Sequence, residues 1–411
     1  MTATAATTST TSTANRVHGL DALRGGALLL GIVLHSLLPF IADIPWLITD
    51  SVTTPAADDG VVVIHLFRMS LFMMLAGYFA RLTLHRKGLR AFTVDRLRRI
   101  GLPVIAFWPL AVLPIGILAV VGADVRGQEL PQAPPSSLNP VLAALDPGHL
   151  WFLVVLLQIY VIALAVRAVV RRILGAERAT TVAERAGTWL SGPLGVLLTA
   201  VPYAVAVLLQ GAPVDGGIHK PLSVLPEAEV LAAYASAFAV GYALHARPDA
   251  LIRMSRGRWV HLAVAVVTSL AVLYVIPTGN LAALAPVAAL ASAAWCYALT
   301  GLCVRYLNAE RPAARYLADA SYWMYLMHLP LLIAVEIPLA DLALPVVVKL
   351  LITWLVTFVV LVLSYHVLVR STWVGAWLNG RRHPWTWPPM TTGNRPRNRL
   401  PADGPAQVRE P

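Results

Sequence analysis

"LDALRGGALLLGIVLHS", residues Leu20–Ser36, has the apolar character of a membrane-spanning helix but contains three ionisable residues. Ionisable side chains are costly inside a membrane and usually face the interior of a helix bundle or a watery cavity. Arg24 and His35 are eleven residues apart, so they share one helix face and are separated by roughly 16 Å along the axis. Asp21 lies on the same stripe. The stretch therefore predicts a polar stripe along one membrane-embedded helix.

Arg24 and His35 also have a purely structural explanation. An arginine near a helix end can extend its charged group to the lipid headgroups, and a histidine can be an ordinary buried residue with satisfied hydrogen bonds. Because the two residues share a face, we favour a functional stripe. It would join a cation at the cytoplasmic surface to a titratable base beyond the membrane midplane.

The composition indicates a protein with several membrane spans. Of its 411 residues, 58% are hydrophobic and 13% are charged, and the mean hydropathy is +0.69. A soluble chain of this size carries about 25% charged residues. We predict an all-α, polytopic integral membrane protein of the inner (plasma) membrane, in contact with the lipid bilayer. Cys296 and Cys303 are seven residues apart on one predicted helix, too far for a disulfide, and we predict no metal site.

Windows of roughly 20 apolar residues, the length needed to cross a bilayer, predict about ten transmembrane helices. Both termini are predicted to be cytoplasmic, because basic residues accumulate in cytoplasmic segments. Of the 32 Lys and Arg residues, only Arg68, Arg126, Lys220 and Lys349 fall outside the segments that this topology places in the cytoplasm. The ten windows lie near 20–42, 60–80, 100–121, 148–166, 193–210, 229–245, 259–276, 281–304, 320–339 and 345–369.

The sequence divides into three predicted parts. Residues 1–18 are predicted to be a disordered tail, 19–372 the transmembrane domain and 373–411 a cytoplasmic tail. The first fifteen residues lack the basic start and apolar centre of a signal peptide. We find no soluble domain, and the basic charge is spread over separate loops, so we expect no nucleic-acid partner.

The second and third predicted helices contain further basic candidates. His65 and Arg68 are three residues apart and are expected to be neighbours on one face; Arg68 lies too deep to reach the membrane surface easily. Arg96 and Arg99 stand one turn apart at the predicted start of the third helix, an arrangement that suits phosphate binding. Ordinary cytoplasmic positive charge is the simpler explanation for Arg96 and Arg99.

Two later helices open with polar and aromatic residues. His149 and Trp151 open the fourth helix and are expected at the outer surface, as in an aromatic belt. Ser321, Tyr325 and His328 have spacings of four and three and share a face of the ninth helix. For His328, a structural hydrogen bond and a substrate contact are equally compatible with the sequence.

Four short motifs occur in order along these helices. The first helix combines Leu-Asp-x-Leu-Arg-Gly with a histidine eleven residues after the arginine; Arg96 and Arg99 form an Arg-x-x-Arg pattern; "HLWFL" and "SYWMYLMH" follow. Together they resemble the membrane-bound acyltransferase-3 family over residues 16–372. "HLFRMSLFMMLAGYFA" is similar to the branch of that family that includes glucan succinyltransferases.

The resemblance implies that residues 19–372 are a transmembrane acyltransferase domain. Such an enzyme would move an acyl group, acetyl or succinyl, from cytoplasmic acyl-CoA to a hydroxyl of a cell-envelope glycan, a glycolipid or a glycosylated small molecule. Acyl-CoA would be a co-substrate, and no permanently bound cofactor is expected. The acceptor would have to reach the membrane domain itself.

The resemblance also implies roles for individual residues. His35 would be the catalytic base, and Arg24, Arg96 and Arg99 would serve the donor. Our own inference is that Arg68 stabilises the developing oxyanion or binds the carboxylate of a succinyl group. The further expected substrate or donor contacts are Asp21, His65, Trp151, Tyr325 and His328.

A transporter or flippase for a polar lipid or glycoconjugate is the alternative. Intramembrane His and Arg residues would then line a permeation path. Transporters often contain interrupted helices at corresponding positions of two halves, but Pro103, Pro109 and Pro114 cluster in one helix without a counterpart. A purely structural membrane protein would leave the polar stripe unexplained. We therefore favour the acyltransferase.

Overall fold

The computed structural model describes residues 17–42, 46–129, 146–211, 217–221 and 223–385. These ranges are mostly helical and contain no strand, which confirms the all-α prediction. The helices are α1 His18–Leu37, α2 Pro55–Arg96, α3 Leu102–Arg126, α4 Trp151–Leu190, α5 Gly195–Gln210, α6 Ala228–Ala246, α7 Ala250–Arg256, α8 Arg258–Val275, α9 Leu281–Tyr306, α10 Pro312–Glu336, α11 Val346–Ser364 and α12 Trp373–Asn379.

Six helical segments of the described chain are long and apolar enough to cross a membrane, so the protein is a multi-pass membrane protein. One of them, Pro55–Arg126, contains two of the predicted spans. The others are His18–Phe40, Gly148–Leu190, Arg258–Thr278, Leu281–Tyr306 and Val346–Arg370.

Three of the predicted spans fall on helices that are too short or not apolar enough to count among these six segments. The span at 193–210 falls on α5, which has 16 residues, and those at 229–245 and 320–339 fall on α6 and α10, which are less apolar. The predicted count of ten and the cytoplasmic termini therefore stay predictions.

Helix α2 is interrupted at Gly88, where φ is +77° and ψ is 173°. This region favours glycine because a Cβ is strained there. Beyond the break the chain doubles back, and Arg96 Nη2 donates to Thr83 Oγ1 at 3.1 Å. In a straight helix these residues would be roughly 20 Å apart along the axis. The basic segment 81–99, which the predicted topology leaves between two spans, is thus mostly helical, and its part after Gly88 folds back over the part of α2 that precedes the break.

Helices α2 and α6 are in backbone contact. A Cβ at Gly77 would overlap the carbonyl of Phe238, and one at Gly241 would overlap the carbonyl of Met74. Small residues permit this close approach between membrane helices, where dispersion contacts replace the hydrophobic effect as the attraction. Helix α2 is therefore firmly seated. Helix α1 packs beside it, against α2, α9, α10 and α11.

The C-terminal part of the bundle extends past the predicted boundary at residue 372. A π-helical turn, Tyr365–Arg370, leads into α12, whose Leu378 is only 4% exposed. Trp377 and Leu378 are apolar residues that pack on the bundle, and the predicted domain boundary at residue 372 stays a prediction. The predicted disordered tail up to residue 16 and the chain after residue 385 lie outside the described residues.

Candidate active site

A cavity of about 450 Å³ lies among α1, α2, α4, α10 and α12. Its polar lining forms two groups toward opposite ends of α2. Arg68 and Lys87 are 19 residues apart on that helix, so the groups are separated by roughly 28 Å along its axis. The histidine end comprises His35, Arg68, His149, Tyr325 and His328, and the arginine end comprises Lys87, Asp95, Arg96, Arg99 and Asn379.

The part between the two ends is largely apolar. It is lined mostly by aromatic and aliphatic side chains, and the rings of Phe72 and Phe152 lie 5.4 Å apart there. A slender, weakly polar molecule suits this section, whereas each end offers charge. Other lining residues of the middle section are Leu75, Ala76, Phe79, Leu153 and Leu156.

The stripe predicted on α1 faces this cavity. Arg24, Leu28, Gly31 and His35 all line it, which confirms that Arg24 and His35 share a face. The Arg24 guanidinium donates to the carbonyl oxygen of Ala318 at 3.0 Å, so it ties α1 to the start of α10. One face of α1 therefore forms a wall of the cavity.

His35 lies in an aromatic and histidine-rich environment. Its ring centroid is 5.3 Å from that of His328, and the ring stacks on Trp46 at 6.3 Å. The Nδ1 atom of His35 is buried and has no hydrogen-bond partner among the described residues. This nitrogen is therefore a buried polar atom without a hydrogen-bond partner in the described part of the chain, at the histidine end of the cavity.

Backbone carbonyls hold the two neighbouring histidines. His328 Nδ1 lies 2.7 Å from the carbonyl oxygen of Tyr325, and His149 Nε2 lies 3.0 Å from that of Leu326. Because a carbonyl only accepts hydrogen bonds, we assign the proton to Nδ1 in His328 and to Nε2 in His149. The other nitrogen of each ring is left as an acceptor.

Tyr325 locks α4 to α10 at this end of the cavity. Its hydroxyl donates to the carbonyl oxygen of His149 at 2.7 Å. His149 and Trp151 are 7% and 9% exposed, so they do not face lipid as residues of an aromatic belt do, and their place on the outer side of the membrane stays a prediction. The hydrogen bonds between α4 and α10 draw the opening of α4 into the bundle instead.

Arg68 brings a positive charge to the histidine end. Its guanidinium lies against α1 at Gly31, where a Cβ would be 2.6 Å from Nη1. No carboxylate of the described residues forms an ion pair with Arg68. The charge is therefore available to an anionic group of a ligand or of a reaction intermediate.

Two predicted residues do not line the cavity. His65 Nε2 pairs with the carbonyl oxygen of Ile218 at 3.0 Å, away from Arg68. Asp21 is also outside the lining, although Arg24 belongs to it. The cause is the same for both: residues three apart on a helix point about 60° apart, which is enough to leave a narrow cavity.

The arginine end is a cluster of cations around one carboxylate. Asp95 accepts a hydrogen bond from Lys87 Nζ at 3.1 Å, and it forms ion pairs with Arg99 Nε at 3.2 Å and with Arg96 Nη2 at 3.8 Å. The Arg96 guanidinium also lies over the rings of Phe92 and Tyr160. Asp95 is not among the predicted residues, although an acidic residue within a basic run indicates charge compensation.

Arg96 and Arg99 are predicted at the start of the third helix, but the structure does not place them at a helix N-terminus. Arg96 ends α2, and a π-helical turn, Leu97–Gly101, carries the chain directly into α3. The backbone N–H groups here bond within the helix, for example Leu97 to Thr93 and Val94. Anion binding at this end therefore depends on the side chains rather than on free amides.

A metal site is not evident in the described part of the chain, which holds no group of three or more His, Cys, Asp or Glu side chains arranged to bind an ion. The cavity instead combines histidines at one end with guanidinium groups at the other.

A family model described as an acyltransferase domain, that of acyltransferase-3, matches residues 17–369. The chain belongs to the acyltransferase-3 family. The identification made from the four motifs is thereby confirmed, and the cavity lies almost entirely within the matched acyltransferase-3 domain. With its long apolar helices, this family member is a membrane acyltransferase.

Curated relatives resemble this acyltransferase-3 protein over a limited region. Glucans biosynthesis protein C of Salmonella paratyphi B is 28% identical over 153 residues, which is 37% of this chain and 39% of the relative. The protein of the same name from Salmonella heidelberg matches to the same extent. The matched region thus spans well under half of these relatives. No solved structure matches the chain.

Proposed function

We propose that this protein is a membrane O-acyltransferase that moves an acetyl or succinyl group from cytoplasmic acyl-CoA to a hydroxyl of a glycan, a glycolipid or a glycosylated small molecule of the cell envelope. The observation that carries the proposal is the single cavity, which joins a cluster of cations to a buried histidine. The plasma membrane is the proposed location.

The arginine end suits the phosphate groups of the donor. Lys87, Arg96 and Arg99 supply an ammonium and two guanidinium groups, and guanidinium groups bind phosphate through paired hydrogen bonds. The apolar middle section would hold the pantetheine arm. The thioester would then lie beside His35 and Arg68.

The histidine end suits the transfer step. The free nitrogen of His35 takes the proton of the acceptor hydroxyl while the hydroxyl oxygen attacks the thioester carbonyl. Arg68 stabilises the oxyanion of the tetrahedral intermediate. When the C–S bond breaks, the proton passes from His35 to the leaving thiolate, so ester and CoA are released and His35 is restored. With a succinyl donor, Arg68 would instead bind the terminal carboxylate.

The names of the curated relatives support a glycan as acceptor. Glucans biosynthesis protein C matches 153 residues of this chain, and we therefore choose a glucan oligosaccharide as the first acceptor to test. Glycolipids and glycosylated small molecules present the same kind of hydroxyl.

The test is acyl transfer by the purified chain in lipid nanodiscs. Radiolabelled acetyl-CoA and succinyl-CoA are supplied with a glucan oligosaccharide, and labelled product is counted for the unaltered chain, His35→Ala and His261→Ala. His261 lies outside the cavity and contacts Tyr297, which makes it the matched histidine control. We expect transfer to fall at least about a hundredfold in His35→Ala, the usual size of a general-base contribution, and to persist in His261→Ala.

Undiminished transfer in folded His35→Ala would remove the catalytic role of that residue. Export of unmodified glycoconjugate by cells, with no acylation in any assay, would favour the transporter instead.

A further inference from the structure

Helix α12 lies beyond the family domain, which ends at residue 369, yet it reaches the arginine end of the cavity. Leu378 and Asn379 belong to the cavity lining. The four motifs that identify the family all precede this helix. A helix beyond the matched domain thus contributes to the wall of the cavity.

Anchors on both sides hold α12 in place. Trp377 Nε1 donates to the carbonyl oxygen of Arg98 at 2.6 Å, which ties α12 to the turn that carries Arg99. On the other side, Asn379 Nδ2 donates to the carbonyl oxygen of Asp319 at 2.9 Å. Arg381 pairs with the Asp319 carboxylate at 2.7 Å. The helix therefore bridges the starts of α3 and α10.

The end of α12 contacts Arg99 directly. Arg99 Nη1 lies 3.4 Å from the carbonyl oxygen of Asn379. Gly380 follows with a left-handed φ of +75°, and a Cβ at this residue would overlap the Arg99 guanidinium. Asp95 forms an ion pair with the same guanidinium through Nε at 3.2 Å. The orientation of Arg99 is therefore set jointly by α2 and by the C-terminal segment.

We propose that the segment Trp377–Arg381 is a donor-binding element, in which Gly380 and the Asn379 carbonyl position Arg99 for the phosphate groups of acyl-CoA. This inference rests on the proposed function. The ligand chemistry is that of a nucleotide with several phosphates, because the cluster offers Lys87, Arg96 and Arg99 together. Arg99 is the binding group, and Gly380 is a positioning residue that acts through it.

Gly380→Ala tests the proposal, because its methyl group would enter the space of Arg99. Gly279→Ala is the matched control: Gly279 also follows a short helical turn with a left-handed φ of +66°, but no atom lies within 4 Å of the position of its Cβ. Both variants introduce similar backbone strain, and only Gly380→Ala reaches the donor site.

Binding of radiolabelled acetyl-CoA to the full chain in nanodiscs is the readout, together with the melting temperature. We expect Gly380→Ala to raise Kd about tenfold, as for a lost hydrogen bond to a charged group, and Gly279→Ala to bind like the unaltered chain. At saturating donor, kcat of Gly380→Ala should be unchanged while KM rises.

Equal Kd values for Gly380→Ala and Gly279→Ala would overturn the inference and leave the proposed function standing. Absence of acetyl-CoA binding by the unaltered chain would instead refute the proposed function. If the melting temperature of Gly380→Ala lies well below that of Gly279→Ala, donor binding is measured for Trp377→Phe instead. This variant removes the hydrogen bond to Arg98 and keeps an apolar ring. Weaker donor binding by Trp377→Phe supports the proposal, and unchanged binding overturns it.

Discussion

The guanidinium of Arg68 lies against Gly31, one helical turn before His35 on α1, so closely that a Cβ at residue 31 would be 2.6 Å from Nη1. Glycine at this position lets a long cationic side chain from α2 reach the histidine end. The two helices thereby bring a base and a cation to the same part of the cavity.

Gly31→Ala should therefore displace Arg68 and lower the rate of transfer. We expect kcat to fall by about one to two orders of magnitude, on the scale of a lost oxyanion contact, with little change in KM for acyl-CoA. Gly26→Ala is the control, because Gly26 is exposed on the same helix and no atom lies near its Cβ position. A loss in Gly26→Ala equal to that in Gly31→Ala would contradict the role of Arg68.

Asp95→Asn should strengthen donor binding. Asp95 compensates the charges of Lys87 and Arg99, and the amide keeps the shape while removing one negative charge. Because these side chains are partly exposed and screened by salt, we expect Kd for CoA to fall only about twofold to fivefold at low salt. Titrations at two salt concentrations measure this. Weaker binding would show that Asp95 chiefly positions the cations.

Asp341→Asn should lower stability at neutral pH and not at acidic pH. Arg126 donates two hydrogen bonds of 2.7 Å to this carboxylate and lowers the pKa of Asp341 below its ordinary value. A depressed pKa means that the stabilisation is present at neutral pH and is lost as the pH falls through the folded-state value. The melting temperatures of the unaltered chain and Asp341→Asn should thus differ at about pH 7, begin to approach each other near the ordinary pKa of an aspartate, about 3.9, and become equal only below the lowered pKa of Asp341.

Asp249→Asn is the comparison for this measurement. The hydrogen bond from Arg247 also lowers the pKa of Asp249, but a partner two residues away stays close in the unfolded chain as well, so much of this effect is common to both states. The melting temperature of Asp249→Asn at neutral pH should therefore differ less from that of the unaltered chain than the melting temperature of Asp341→Asn does. A pH-independent difference between Asp341→Asn and the unaltered chain would exclude the ion pair with Arg126 as its source.

Cysteine labelling tests the predicted topology. In a background without Cys296 and Cys303, Leu89→Cys should be protected from a membrane-impermeant maleimide in intact cells, whereas Leu342→Cys should react. Both leucines are exposed, at 52% and 45%, so access depends on the side of the membrane. Reaction of Leu89→Cys from outside would overturn the cytoplasmic placement of the arginine end.

The sequence correctly predicted that Arg24 and His35 share a face of α1, because this relationship depends only on the geometry of a single helix. Arg24 and His35 are eleven residues apart, which is about three whole turns of a helix. The two side chains therefore point in nearly the same direction. Three-residue spacings are less reliable, and they led to Asp21 and His65 being grouped with the cavity residues. The spacing of residues on one helix predicts the direction in which their side chains point, but it does not predict the width of the cavity that they face.

Contacts between distant segments could not be predicted in the same way. His149 is buried through hydrogen bonds with Tyr325 and Leu326, partners about 180 residues away whose proximity no spacing reveals. Likewise, α12 looked like the start of a tail, because a single turn with a few apolar residues gives no membrane-span signal. The position of α12 depends on its hydrogen bonds to the carbonyl oxygens of Asp319 and Arg98, which are distant in sequence.

The reciprocal backbone contact of Gly77 and Gly241 gives α2 a further property. The helix is held at mid-length by α6, with Arg68 on one side of that contact and Lys87 on the other. A clamped helix cannot slide or bend to suit its ligand, so the interval between the two charges is constant. In the proposed mechanism, helix α2 would therefore fix the length of the donor that can reach from the arginine end of the cavity to His35.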